Sequence, residues 1–133
     1  MHHATCQCGA LTATANAAPD FVIACNCKLC QRRSGSPFGA AGYFRKSTLT
    51  LAGRTARYGR TADSGRKVTN FFCPTCGTTL YWTLDMRPDH IGVAFGAFEQ
   101  PLPEPARVIW TESQHDWVAF PTDLPHFAQG TPE

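Results

Sequence analysis

Hydrophobic and polar residues alternate over short stretches of the chain, which is the pattern of β-strands with one buried face. Glycines and prolines separate these stretches and indicate turns between them. The predicted strands cover, in chain order, residues 10–15, 21–24, 38–44, 49–51, 56–58, 67–72, 78–84, 90–98, 106–111 and 117–120. One short helix or turn is predicted over 27–33, and the Ser-Gly-Ser-Pro segment 34–37 ends it. The pattern therefore indicates a mainly β fold.

The chain has 133 residues, which is the usual length of one domain. Its sequence contains no internal repeat beyond the cysteine pairs, no low-complexity tract and no linker. We therefore predict a single domain over residues 1–133. The tail that begins at Pro121 is polar and contains proline, and we expect it to be disordered from about residue 128.

Charge and hydropathy exclude two classes of partner. The net charge is +2 with neutral histidines, and the longest basic run is Arg32-Arg33. This is too little for a nucleic-acid surface or an anionic membrane. No apolar run has the length of a membrane span, and residues 1–5 lack the features of a secretory signal. We therefore expect a cytoplasmic protein with neither nucleic acid nor a membrane as partner.

Seven cysteines are the most informative part of the composition. An odd number cannot all form intramolecular disulfides, and a reducing compartment argues against disulfides altogether. The Cys-x-Cys and Cys-x-x-Cys spacings chelate a metal readily, whereas a disulfide across Cys-x-Cys would be strained. Because 43% of the residues are hydrophobic, a core can form, and bound metal would supplement it.

Four of the cysteines form two pairs that are far apart in the sequence. Cys6 and Cys8 face the same side of an extended segment, so both sulfurs can reach one ion. Cys73 and Cys76 lie at the tip of a predicted hairpin, as in a zinc knuckle. Together the pairs predict a closed four-thiolate zinc site that ties the first strand to a central hairpin.

The remaining cysteines, Cys25, Cys27 and Cys30, lie close together in the sequence. Three thiolates leave one corner of a zinc tetrahedron open, which is typical of a catalytic site. They also more than neutralise Zn²⁺, so a bound water is only weakly polarised and a soft thiol is the better fourth ligand. The three residues are therefore predicted to be catalytic in carbon–sulfur chemistry, in which a zinc-bound thiolate adds to a small electrophile.

The spacing leaves two alternatives open. Cys30 could join the hairpin pair instead of the other two cysteines. A protein side chain could also fill the fourth position of the three-cysteine site, which would make that site structural. The candidates for such a ligand are His90, His115, Asp116 and His126.

Several motifs together span nearly the whole chain. They are Cys-x-Cys-Gly at 6–9, Cys-x-Cys-x-x-Cys at 25–30 with Arg-x-Ser-Gly at 32–35, Phe-Cys-x-x-Cys-Gly at 72–77, and Val-Ile-Trp at 108–110 before Asp-Leu-Pro-x-Phe at 123–127. With them the chain resembles the glutathione-dependent formaldehyde-activating enzyme family, which also includes centromere protein V. The resemblance implies an Mss4-like fold of bent antiparallel sheets with two zinc ions. The implied structural ligands are Cys6, Cys8, Cys73 and Cys76, and the implied catalytic ligands are Cys25, Cys27 and Cys30.

The same resemblance implies an activity. It is the condensation of glutathione with formaldehyde to S-hydroxymethylglutathione, which is a carbon–sulfur lyase reaction. This chain departs from the family pattern at Asn26, where members often carry histidine. The departure weakens a proton-transfer role at that position but leaves metal binding intact.

Glutathione carries two carboxylates, so a cleft that binds it should offer cations. Arg32 and Arg33 follow the three cysteines directly and are predicted to bind the substrate, with Ser34 as a further hydrogen-bonding group. Aromatic candidates for the lining of the cleft are Phe44, Phe72 and Trp110, although packing in the core is the simpler interpretation. Two non-catalytic alternatives are a thiol carrier without turnover and a zinc-stabilised protein-binding module.

Overall fold

The computed structural model describes residues 1–62 and 65–131, which form ten strands, one α-helix and three short 3-10 turns. The strands are β1 (His2–Thr5), β2 (Thr12–Ala15), β3 (Phe21–Cys25), β4 (Gly39–Arg45), β5 (Leu49–Ala52), β6 (Ala56–Thr61), β7 (Lys67–Phe72), β8 (Thr79–Leu84), β9 (His90–Ala94) and β10 (Arg107–Ile109). The helix α1 covers Lys28–Ser34. The prediction of a mainly β fold is confirmed.

Three strands form a small antiparallel sheet in the order β1-β2-β5. Ala4, Ala13 and Ala15 are fully buried, whereas the threonines beside them are only half-buried. The alternation in the sequence is therefore the alternation between the two faces of this sheet.

The other seven strands form one sheet in the order β10-β3-β4-β9-β8-β7-β6. Neighbouring strands are antiparallel except β10, which runs parallel to β3. The sheet is thus antiparallel apart from this one parallel pair at its edge. The proline-containing segment 100–105 makes this arrangement possible because it carries the chain across to the far edge of the sheet.

The main core lies between the two sheets. One face of the large sheet contributes residues such as Val22, Phe44 and Val93, which pack with Leu11 and Leu80. All five are almost completely buried, and each contributes roughly 1.5–3 kcal/mol of hydrophobic free energy. The opposite face of the large sheet is left to form the cavity described below.

Two predicted strands differ from the structure. The segment 90–98 is not one strand, because β9 ends at Ala94 and Phe95–Ala97 forms a 3-10 turn. This turn brings Phe98 against β1, where it bridges to Ala4 and packs on the core. The segment 117–120 forms no strand, since Trp117 is exposed to solvent and the segment pairs with no other strand.

Helix α1 begins and ends where its sequence predicts. Cys27 is the N-cap, and its Sγ accepts a hydrogen bond from the Cys30 N–H at 3.3 Å. Gly35 ends the helix in the left-handed conformation with φ 65°, and its N–H donates to the Gln31 carbonyl at 2.8 Å. The N-terminus of the helix is therefore built around a cysteine sulfur.

Candidate functional site

The sulfur atoms of Cys6, Cys8, Cys73 and Cys76 all lie within 4.8 Å of one another. The Sγ of Cys8 is 3.7 Å from the Sγ of Cys6 and 3.7 Å from the Sγ of Cys73. Tetrahedral zinc with Zn–S bonds of about 2.3 Å would place its sulfurs about 3.8 Å apart. This four-cysteine cluster can therefore hold a metal ion, and its dimensions fit zinc.

The two cysteine pairs reach the cluster through similar turns. The Gly9 N–H donates to the Cys6 carbonyl at 3.1 Å, and the Gly77 N–H donates to the Cys73 carbonyl at 2.9 Å. Both glycines have positive φ, 84° and 82°, which a residue with a Cβ rarely adopts. The glycines after each pair thus allow the backbone to fold around the sulfurs.

Hydrogen bonds to sulfur offset the negative charge that four thiolates would concentrate. The Leu11 N–H donates to Cys6 Sγ at 3.2 Å. The Thr78 hydroxyl lies 3.3 Å from Cys76 Sγ, and this hydroxyl together with the Thr78 N–H lowers the pKa of Cys76 to about 5. These donors therefore favour the thiolate form of Cys76.

The second cluster consists of Cys25, Cys27 and Cys30, whose sulfurs also lie within 4.8 Å of one another. Cys25 ends β3, Cys27 caps α1, and Cys30 lies in the first turn of the helix. Cys30 therefore groups with this triple and not with the hairpin pair. We call these residues the cysteine triple.

One negative charge is stabilised among the three sulfurs. Hydrogen bonds from the side chains of Cys25 and Cys30 lower the pKa of Cys27 to about 2, and the positive charge of Arg60 acts in the same direction. Side-chain hydrogen bonds with Cys27 and Cys30 raise the pKa of Cys25. Such a cluster favours the binding of a cation, which would allow all three groups to ionise.

A buried polar network fixes the loop that carries the triple. Asn26 is fully buried and its Nδ2 donates to the Ile109 carbonyl at 3.1 Å. Gln31 Nε2 donates to the carbonyls of Asn26 at 2.8 Å and Ser113 at 3.2 Å, and Gln31 Oε1 lies 2.8 Å from His115 Nε2. Asn26 thus ties the loop to β10 and does not line the cavity beside the triple.

A cavity of about 520 Å³ opens beside the cysteine triple. Its floor is one face of the large sheet, because alternate residues of a strand point to the same side. This floor includes Ile23 and Cys25 on β3, Ala41 and Tyr43 on β4, and Arg107 and Ile109 on β10. The volume is that of an ordinary small-molecule site.

The charge of this cavity is strongly positive. Four arginines line it, namely Arg33, Arg60, Arg87 and Arg107. No aspartate or glutamate of the described residues is among the lining residues. Because like charges along one cleft add their fields, the cavity favours an anionic ligand.

The floor of the cavity next to the triple contains a stacked pair and a hydroxyl. The Arg33 guanidinium lies 3.7 Å from the centre of the Trp82 ring, and Trp82 Nε1 donates to the Tyr43 hydroxyl at 3.2 Å. Burial raises the pKa of Tyr43 to about 12. This phenol is therefore protonated at neutral pH, and its own hydrogen has no acceptor among the described residues.

Arg33 can lie over the sheet because β4 begins with a glycine. A Cβ on Gly39 would be 2.6 Å from Arg33 Nη2 and 3.3 Å from Cys30 Cβ. Real side chains do not approach this closely, so a larger residue would displace the guanidinium. Gly39 thus leaves the space that the Arg33 guanidinium occupies over the sheet.

Of the three residues predicted to bind the substrate, only Arg33 lines the cavity. Arg32 is exposed and borders a neighbouring shallow groove. The Ser34 hydroxyl is exposed and donates to the Cys30 carbonyl at 2.8 Å within the helix. The helix thus directs consecutive side chains to different surfaces.

The residues considered as fourth ligands of the triple lie elsewhere: His90, His115, Asp116 and His126. His90 Nε2 pairs with Asp20 at 2.8 Å, and His126 Nε2 lies 2.9 Å from the backbone carbonyl oxygen of Pro121. In the described ranges, no histidine, aspartate or glutamate joins the three sulfurs within 4.8 Å. Within that part of the chain, the fourth position is therefore open.

The aromatic candidates have three different locations. Phe44 is fully buried in the core beside Phe98, Phe72 borders the shallow groove, and Trp110 lines the cavity. Trp110 has φ 57°, an uncommon conformation for a bulky residue. Sequence reasoning missed five lining residues. Finding Tyr43, Trp82, Arg60 and Arg107 would have required the alternation along their strands and the register of the sheet, whereas Arg87 lies in the connection between β8 and β9 and gave no such signal.

Comparisons with known proteins agree with the motifs. The family model described as glutathione-dependent formaldehyde-activating enzyme matches residues 1–113. A crystal structure of a Rhodobacter sphaeroides protein has a TM-score of 0.59 at 22% sequence identity, covering 93% of this chain and 98% of that chain. This likeness shows a shared fold. No curated protein matches the chain.

In the ranges that the structure describes, no helix has the length and apolar character needed to cross a membrane.

Proposed function

Since the chain belongs to the glutathione-dependent formaldehyde-activating enzyme family, we propose that it is a zinc-dependent carbon–sulfur lyase. Its substrates would be glutathione, or a related thiol, and formaldehyde, and its product S-hydroxymethylglutathione. One observation carries the proposal: the cysteine triple lies at an arginine-lined cavity, and no described side chain fills its fourth ligand position. The same cavity offers the space and the positive charge that an anionic thiol requires.

The two cysteine clusters would have different tasks. Cys6, Cys8, Cys73 and Cys76 would hold a closed zinc that stabilises the fold. Cys25, Cys27 and Cys30 would hold a second zinc with an open position facing the cavity. Zinc in that position would supply the Lewis acidity that keeps a thiol ionised at neutral pH.

The residues of the chain orient the reactants and supply a proton. The positive charge of Arg60 acts on Cys27, and that of Arg33 acts on Cys30. Both charges offset the negative charge of the thiolates. When the sulfur electron pair forms the carbon–sulfur bond, the carbonyl π pair moves to the aldehyde oxygen. The Tyr43 hydroxyl donates its proton to that oxygen, and the phenolate then recovers a proton from water.

Location and other partners follow from the same proposal. A glutathione-dependent activity fits the cytoplasm, and the net charge of +2 gives no reason to add nucleic acid as a partner. The single domain over residues 1–133, with disorder from about residue 128, stays a prediction.

Metal analysis and calorimetry test the proposal together. The purified wild type should contain close to two zinc ions per chain and bind glutathione saturably. Cys27→Ser should keep one zinc and the fold but bind glutathione more weakly. One zinc per wild-type chain together with no thiol binding would contradict the proposal. Saturable binding without faster adduct formation would instead favour a thiol carrier.

A further inference from the structure

Two of the four cavity arginines lie together at a distance from the cysteine triple. The guanidinium of Arg87 is 4.8 Å from the centre of the Phe21 ring, and that of Arg107 is 5.2 Å from the same centre. Both side chains line the cavity. Phe21 therefore gathers two positive charges at one place in the cavity wall.

This pair of arginines has no anionic partner in the part of the chain that the structure describes. Neither residue forms an ion pair with another described residue, and the buried Nε of Arg107 has no hydrogen-bond partner there. Burial and the charge of Arg87 lower the pKa of Arg107. Two half-buried like charges repel one another, and a bound anion would offset this repulsion.

The register of the sheet gives the separation between this pair and the triple. Cys25 pairs with Ile109 across β3 and β10, and Arg107 lies two residues earlier on β10, opposite Ile23. Both guanidinium groups lie farther along, at Phe21, which is four strand residues or about 13 Å from Cys25 on β3. This is about the extended length of a peptide of three to four residues.

From this juxtaposition we propose that Arg87 and Arg107 form an anion subsite that binds a carboxylate of the thiol substrate while its sulfur lies at the cysteine triple. The inference rests on the proposed function, because it deepens the choice of substrate. The substrate class is a short cysteine-containing peptide with a terminal carboxylate, and glutathione has this form because it carries a carboxylate at each end. Small neutral thiols lack the group that the pair would bind.

A blocked thiol tests the subsite separately from the chemistry. S-methylglutathione keeps both carboxylates of glutathione but cannot ionise at sulfur, so its binding requires no reaction. Calorimetry on the zinc-loaded protein should show saturable binding to the wild type. Arg87→Gln and Arg107→Gln should each weaken this binding about tenfold or more, because a charge-assisted bidentate contact is lost.

Matched variants control for folding and for general charge. Arg57→Gln removes an exposed arginine of β6 that does not line the cavity, and it should bind S-methylglutathione as the wild type does. Arg107→Lys keeps the charge and should retain more affinity than Arg107→Gln. An analogue of S-methylglutathione with both carboxylates amidated should bind the wild type at least as weakly as S-methylglutathione binds the arginine variants.

The outcomes distinguish this proposal from the one on which it rests. Equal affinity of wild type, Arg87→Gln and Arg107→Gln for S-methylglutathione would overturn the subsite even if adduct formation is catalysed. Absence of saturable binding to the wild type would overturn it as well. A loss of affinity in both variants would support the subsite even if the protein proves to be a carrier without turnover.

Discussion

Trp82 Nε1 donates a hydrogen bond to the Tyr43 hydroxyl at 3.2 Å, although their strands β8 and β4 are separated by β9. Gly92 of β9 is the cross-strand neighbour of both residues. A Cβ at this position would lie 2.5 Å from Trp82 Nε1. The glycine therefore leaves the gap through which the indole reaches the phenol across an intervening strand.

Gly92→Ala should break this contact. The added methyl group collides with the rigid, buried indole, so the free energy of unfolding should fall by about 1–3 kcal/mol. Urea denaturation followed by tryptophan fluorescence measures the change. Gly59→Ala, on β6 with no atom within 4 Å of the added Cβ, is the matched control. Equal effects of the two substitutions would contradict the steric role of Gly92.

Tyr43→Phe should slow the reaction without removing either metal. If the phenol donates to the aldehyde oxygen, kcat should fall about 100-fold while the affinity for glutathione and the zinc content are unchanged. Steady-state kinetics, calorimetry and metal analysis provide the three measurements. Tyr58→Phe changes an exposed tyrosine of β6 and should leave kcat as in the wild type. An unchanged kcat in Tyr43→Phe would remove this residue from the mechanism.

The raised pKa of Tyr43 also predicts a pH dependence of stability. The folded-state pKa is about 12, whereas an unfolded tyrosine has a pKa of about 10. The stabilising contribution is therefore complete below about pH 10 and is lost as the pH rises from about 10 to about 12. Between pH 8 and pH 11 the wild type should lose about 1 kcal/mol more stability than Tyr43→Phe. Denaturant titrations at both pH values measure this difference, and identical losses would contradict the burial of the phenol.

The two cysteine clusters should respond differently to the loss of one ligand. Cys73→Ser removes a ligand that joins the hairpin to β1, so thermal unfolding should occur at markedly lower temperature and the soluble yield should fall. Cys27→Ser should lose one zinc but unfold near the wild-type temperature. Calorimetric scans with metal analysis distinguish the two. Similar destabilisation by both substitutions would show that the triple also has a structural task.

The sequence was sufficient for features that depend on local spacing. The cysteine pairs, the triple and the N-terminus of α1 could be predicted because residues close in sequence must be close in space. The strands predicted over 90–98 and 117–120 were wrong. Apolar residues give the same sequence pattern in a strand and in a turn that packs on a core. Only the tertiary structure decides between these, as at Phe98 beside Ala4.

Features that depend on strand register could not be predicted in this way. Arg87 and Arg107 are 20 residues apart in number and meet only because both stack on Phe21, which lies on a third segment. Arg32 and Arg33 were predicted together, but the geometry of a helix places neighbouring side chains on different sides, and only Arg33 reaches the cavity. The cysteine positions therefore revealed the metal chemistry, whereas the substrate contacts required the sheet.

The central claim is that the cysteine triple forms the reactive site for thiol addition to formaldehyde. Exchange NMR at equilibrium measures the rate at which glutathione and formaldehyde interconvert with their adduct, including the uncatalysed reaction. The account predicts that the wild type accelerates this exchange at least tenfold over the uncatalysed rate, in proportion to protein concentration, and that Cys27→Ser with one zinc gives no acceleration. If wild-type protein that carries two zinc ions leaves the exchange at its uncatalysed rate, the central claim is contradicted.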